Sequence, residues 1–193
     1  LNAARHFSNT LFNIMRGGIY ENGYTVNGGD LMEFISQTNS DIFNQLKTTL
    51  DHLPKKISNN KLIDFANNTH HADLIRICCE YLPLTFSRRH GDPSRPWNLF
   101  SIDNINDDGS PKLDFQGNWR DIFQNWEALS LSYPGYIENI ISKFVNASTA
   151  DGYNPYRIMR SGIDWESPDP DDPWAYIGYW GDHQVIYLQK LLE

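Results

Sequence analysis

The sequence predicts an all-α fold of antiparallel helical hairpins, with long irregular loops and a minor β-hairpin. Apolar residues recur at helical spacing along most of the chain. Breakers at Gly17-Gly18, Pro54 and Pro83 divide these runs into helix-sized pieces. A hairpin turn signal, Asn22-Gly23, stands between short apolar segments at residues 19–26.

Residues 3–16 place Phe7, Leu11, Phe12 and Met15 on a helical stripe that stops at the glycine pair. The hairpin Ile19–Val26 follows, its turn needing the φ > 0 that Asn-Gly supplies. Leu31, Phe34 and Ile35 define a short helix. Ser40 can cap the next, on which Ile42, Phe43, Leu46 and Leu50 share a face. Residues 60–66 form a further turn or two. From Thr69 a stronger helix carries Leu74, Ile75, Cys78 and Leu82 until Pro83 ends it. Residues 83–118 and 147–181 read as loops, rich in Asn, Asp, Gly and Pro but also in tryptophan and tyrosine. Between them lie helices at 119–132 and 135–146, and a last helix begins near His183.

Composition bounds what such a chain can do. With 193 residues and 40% hydrophobic content it can bury a real core, as a single helical domain. A formal net charge of −8 excludes nucleic acid as a partner, because that binding depends on Lys and Arg neutralising phosphates. No apolar run approaches the ~20 residues that span a bilayer, and no signal peptide is visible. No membrane partner and a cytoplasmic location are therefore expected. The two cysteines, Cys78 and Cys79, sit in an apolar helical pattern and read as reduced core residues. The ends, Leu1 without a preceding Met and Glu193 within a helical run, suggest a domain cut from a longer polypeptide.

The chemistry concentrates in two runs, Gly117-Asn118-Trp119-Arg120-Asp121-Ile122-Phe123-Gln124-Asn125-Trp126-Glu127 and Tyr179-Trp180-Gly181-Asp182-His183-Gln184. Each combines aromatic faces, an acid and an amide at a helix start. That mixture suits a sugar, whose apolar ring faces stack on indoles while its hydroxyls take donors and acceptors. Asp121 fits a general acid, and equally a capping carboxylate at the third helical position after Asn118. Asp182 has the same two readings. Glu166, directly after Trp165, is the third candidate carboxylate. Trp119 and Trp126 are seven residues apart and share a helical face, so at least one belongs to the core. Trp119, Arg120, Gln124, Trp165, Trp180, His183 and Gln184 are candidate sugar contacts. Arg88 and Arg89 can hold an anion or pin their loop to acidic neighbours. The histidines lack metal-ligand spacing, so neither a metal nor another cofactor is expected.

The stretch Trp119-Arg120-Asp121-Ile122-Phe123-Gln124-Asn125 resembles the Arg-Asp-x-x-Gln-Asp motif of the cellobiose phosphorylase family, with Asn125 where that family has a second Asp. The order of Asp121, the loop Asp151-Gly152-Tyr153-Asn154-Pro155 and Tyr179-Trp180-Gly181-Asp182 is also similar to the glycogen-debranching amylo-α-1,6-glucosidase group. Both are six-hairpin glycosidases. The resemblance, over residues 117–193, implies part of an (α/α)6 barrel acting on oligosaccharides as hydrolase or phosphorylase. It implies Asp121 as proton donor, and Asp182 or Glu166 as sugar-binding or second carboxylate. Arg88 and Arg89 would hold phosphate. A cut barrel would expose apolar faces that self-associate or pack on the rest of the parent chain. The competing reading is a non-catalytic sugar-binding or protein-interaction module.

Overall fold

The computed structural model describes residues 2–15, 19–87, 105–110, 112–164, 171, 179–180 and 185–193. Helices form where apolar periodicity is strongest: α1 (Asn2–Met15), α2 (Gly28–Thr38), α3 (Ser40–Gln45), α4 (Lys47–Leu50), α5 (Asn59–Asn68), α6 (Ala72–Glu80), α7 (Trp119–Ser132), α8 (Ile137–Ala147) and α9 (Val185–Leu192). Asn39, rather than Ser40, caps α3, its Oδ1 accepting from the Ile42 amide at 3.1 Å. Asn27 and Ser58 cap α2 and α5 in the same way, each supplying a side-chain acceptor to an orphan helical N–H. A short 3-10 turn, Pro134–Tyr136, leads into α8.

The all-α expectation does not hold. Among the described residues the chain also forms β1 (Ile19–Tyr20), β2 (Thr25–Asn27), β3 (Lys56–Ser58), β4 (Leu84–Ser87), β5 (Phe115–Asn118), β6 (Tyr153–Asn154), β7 (Arg157–Met159), β8 (Gly162–Asp164) and β9 (Tyr179–Trp180). Five of these make a mixed sheet in the order β1-β4-β5-β7-β8, parallel at β4–β5 and antiparallel elsewhere. Six strands lie in the stretches expected to be loops, because two to four residues are too few to display a period of two. A helix-rich fold with a mixed sheet therefore replaces the partial helical barrel.

The predicted hairpin is corrected too. Gly23 adopts φ 57°, as the Asn-Gly signal requires, but the flanking strands do not pair with each other. Instead β1 pairs with β4 (Ile19↔Thr85, Tyr20↔Leu84), and β2 pairs with β3 (Val26↔Ile57). The turn joins two different sheets.

Two hydrophobic cores result. One gathers Val26, Leu31, Phe34, Ile35, Leu50, Leu62, Leu74, Ile77 and Tyr81 from α2 to α6 and the β2–β3 ribbon. The other gathers Phe86, Phe115 and Ile158 of the sheet under Trp119, Ile122, Phe123, Trp126, Tyr136 and Ile140. The rings of Phe115, Phe123 and Trp126 meet edge to face, with Phe123 at 5.4 Å from Trp126. α1 and α9 both lie against α7.

Close backbone approach makes one glycine indispensable to the first core. A Cβ on Gly28 would sit 2.5 Å from the Pro54 carbonyl oxygen, so that backbone would have to move. Gly28→Ala should cost about 1–3 kcal/mol, as overpacking does, read as a lowered midpoint in urea unfolding. Cys78 is buried and its thiol is pushed up to about 12, chiefly by desolvation and then by Cys79. Native Cys78 should resist iodoacetamide at pH 8 and react only on unfolding. Its raised value contributes stability that is complete below the ordinary thiol pKa near 9.0 and lost as pH rises towards 12.

Candidate functional site

One short segment of chain receives both the start of a helix and a second strand. β5 runs directly into α7, whose first residue is Trp119. Along β5, Gln116, Gly117 and Asn118 lie opposite Met159, Ile158 and Arg157 of β7. The Trp119 amide then donates to the Tyr156 carbonyl at 2.9 Å. Three residues earlier, Tyr153 and Asn154 pair with Trp180 and Tyr179 of β9. Residues 153–159 thus bind both aromatic-acidic runs, one at each end. α7 and α9, which the two runs lead into, lie side by side, and Lys190 reaches Glu127 at 3.1 Å.

Asn154, in the Asp-Gly-Tyr-Asn-Pro loop, is buried and accepts from the Ser148 hydroxyl at 2.8 Å. Arg157, opposite Asn118, pairs with Asp164 of β8 at 2.5 Å. Gly117 allows α7 to turn back close over its own strand, since a Cβ there would meet Ile122 at 3.1 Å.

A second polar assembly joins the two cores. Asp30, in the first turn of α2, accepts from the Tyr81 hydroxyl and from one terminal nitrogen of Arg160, which lies 2.8 Å from both carboxylate oxygens. The Arg160 guanidinium carbon lies 5.5 Å from the Phe34 ring centroid and 5.8 Å from that of Tyr81. Burial first, and then the Asp30 carboxylate, raise the Tyr81 phenol far above its ordinary value. The other terminal nitrogen of Arg160 is buried with no hydrogen-bond partner among the described residues. Asp30 and Arg160 border a cleft of about 430 Å³, whose lining also includes Glu21, Asn27, Glu33 and Asp114.

Nearby, Asn59 donates to the Gly135 carbonyl and to Asn139, and Asn139 donates to the Tyr81 carbonyl, each at 3.1 Å. Glu80 takes Arg76 at 3.0 Å, Asn146 at 2.8 Å and Lys143 at 3.8 Å. Burial lowers the Lys143 pKa, and Glu80 opposes that shift.

The structure distributes the sequence-predicted residues unevenly. Trp119 is fully buried, 4.9 Å from Phe123 and 4.7 Å from Phe144, so in this conformation its indole is core rather than an open stacking face. Trp126 is buried as well. Arg120, Asp121 and Gln124 occupy the first two turns of α7, and Trp180 lies in β9. Arg88, Arg89, Trp165, Glu166, Asp182, His183 and Gln184 lie outside the described residues. Among the described residues no group of three or more His, Cys, Asp or Glu side chains is arranged to hold a metal ion. No described helix is long and apolar enough to cross a membrane.

Sequence reading missed Asp30, Tyr81 and Arg160. Asp30 follows an Asn-Gly-Gly start and reads as an ordinary first-turn carboxylate, while Arg160 directly follows a strand too short to recognise.

Comparison with known families adds a different stretch of the chain. Residues 20–83 match the profile of glycoside hydrolase family 149 insertion domain 1. The chain therefore carries a glycoside hydrolase-related domain, about a third of its length. The match covers the segment between the paired residues Tyr20 and Leu84, not the motifs at 117–193. A search of curated proteins finds no match.

Because Tyr81 donates to a carboxylate at a partly buried junction, Tyr81→Phe should cost about 1–3 kcal/mol, as removal of a buried hydrogen-bond partner does. Urea unfolding followed by near-UV circular dichroism would measure it.

Proposed function

We propose that the chain is a segment of a carbohydrate-active enzyme in which residues 20–83 are an inserted, non-catalytic helical module. The segments on either side carry the acid chemistry. The observation that carries this reading is the pairing of Tyr20 with Leu84, which brackets the stretch that matches an insertion domain. A module whose two ends lie side by side can be inserted into a host without disturbing it. Its own core, separate from that of the sheet and α7, fits the same role.

In this reading Asp121 is the general acid, and its proton passes to the glycosidic oxygen as the bond to the anomeric carbon breaks. The resemblance of residues 119–125 to the acid-bearing motif of the cellobiose phosphorylases supports it. So does the scaffold that brings the start of α7 and strand Tyr179–Trp180 onto residues 153–159. Asp182 or Glu166 serves as the second carboxylate in a hydrolase. In a phosphorylase, phosphate attacks instead, and Arg88 and Arg89 hold it. A carboxylate separation of about 5–5.5 Å gives retention and one of about 6.5–9.5 Å gives inversion. Trp165, Trp180, His183 and Gln184 contribute sugar contacts, and the substrate class is an oligosaccharide.

The test compares full-length wild type with Asp121→Asn on α- and β-linked oligosaccharides, with and without phosphate. The variant should lose about 10²–10⁴ in kcat, the contribution of a positioned general acid, with an unchanged thermal midpoint. Full activity in the variant, or no sugar or sugar phosphate released by wild type, would remove the assignment.

A further inference from the structure

We infer that Asp30 and Arg160 form a positioning pair through which the inserted module sets the start of α7, and with it Asp121. This rests on the reading of Asp121 as the general acid.

The physical path is short and continuous. Arg160 directly follows β7, and its backbone amide donates to the Phe115 carbonyl at 2.8 Å. From there Met159, Ile158 and Arg157 stay in register with Gln116, Gly117 and Asn118, and the Tyr156 carbonyl takes the first amide of α7. Arg160 therefore ends a stretch whose other end, at Tyr156, receives the helix bearing Asp121, roughly 13 Å away at the rise of a strand. The Arg160 side chain is 9% exposed, and what holds it comes from the module: the Asp30 carboxylate and the rings of Phe34 and Tyr81.

A guanidinium buried in this way depends on its carboxylate, because an uncompensated buried charge is costly. Without Asp30 it must leave the pocket or drag the end of β7 with it. β7 is three residues long and is the antiparallel neighbour of the strand that launches α7. Its displacement is passed on as displacement of the helix start. A proton donor is sensitive to that, whereas bulk sugar binding is not, since misplacement by an ångström costs rate before it costs affinity.

The experiment uses the full-length enzyme and the variants Asp30→Asn, Arg160→Lys and Asp121→Asn. Each is assayed on an oligosaccharide and on the matching dinitrophenyl glycoside, whose leaving group departs without a proton. The expected result for Asp30→Asn and Arg160→Lys is a kcat lowered by roughly tenfold to a hundredfold on the oligosaccharide. KM and the dinitrophenyl glycoside rate stay at wild-type values. Equal loss on both substrates, or loss on neither, overturns the inference. Should Asp30→Asn fail to fold, Arg160→Lys carries the test, because it keeps the charge and removes only the guanidinium's fit. Failure of the underlying reading is separate, since Asp121→Asn would then keep its oligosaccharide activity.

Discussion

The pairing of β1 with β4 is the constraint on which the rest of this structure depends. Ile19 and Tyr20 meet Thr85 and Leu84, so the chain leaves the sheet and returns to it at one point. Everything between can fold around its own centre, because closing so long an excursion costs entropy that grows only slowly with length. Val26, Leu31, Ile35, Leu62 and Ile77 form that centre, while Tyr20 and Leu84 remain in the core beneath α7. Two cores in one chain follow from that single pair of strands.

The junction between them is polar and largely satisfied. Asn59, Asn139, Glu80, Asp30 and Arg160 are buried or nearly so, and their hydrogen bonds run between the helical module and α8 or the sheet. Apolar contact alone would let the units slide over each other, because dispersion has no direction. Buried amides and charges accept one geometry and penalise others. Aromatic packing reinforces it: Tyr20 stacks on Tyr136 at 4.1 Å, and the Tyr136 hydroxyl donates to the Gly23 carbonyl. The same logic explains why Trp119 is buried in a run whose composition suits a sugar. A helix that must cover a sheet of Phe86, Phe115 and Ile158 needs large apolar groups, and Trp119, Phe123 and Trp126 fall at the spacing that supplies them.

Much of the helical content was legible because it is a local property. The stripe of Leu31, Phe34 and Ile35, and that of Leu74, Cys78 and their neighbours, announce helices whatever lies outside them. The turn at Gly23 was legible for the same reason, as was the burial of Cys78. The sheet was not. β1 and β6 are two residues long, and their partners stand far away in sequence, so no window contains the information. The Asp30 assembly was hidden likewise, with Tyr81 and Arg160 lying 51 and 130 residues from the carboxylate they share.

By itself, the sequence determined where most of this chain is helical and which two runs concentrate aromatic and acidic groups, whereas of the two cysteines it placed in the core only Cys78 is fully buried. These depend on spacing, propensity and composition within a few turns of chain. Tertiary structure decided that the two runs meet on residues 153–159, that Trp119 faces inward, and that the chain between β1 and β4 leaves the sheet and returns to it at paired strands. Those outcomes come from hydrogen bonds and packing between residues distant in sequence, whose pairing exists only once the chain has closed on itself.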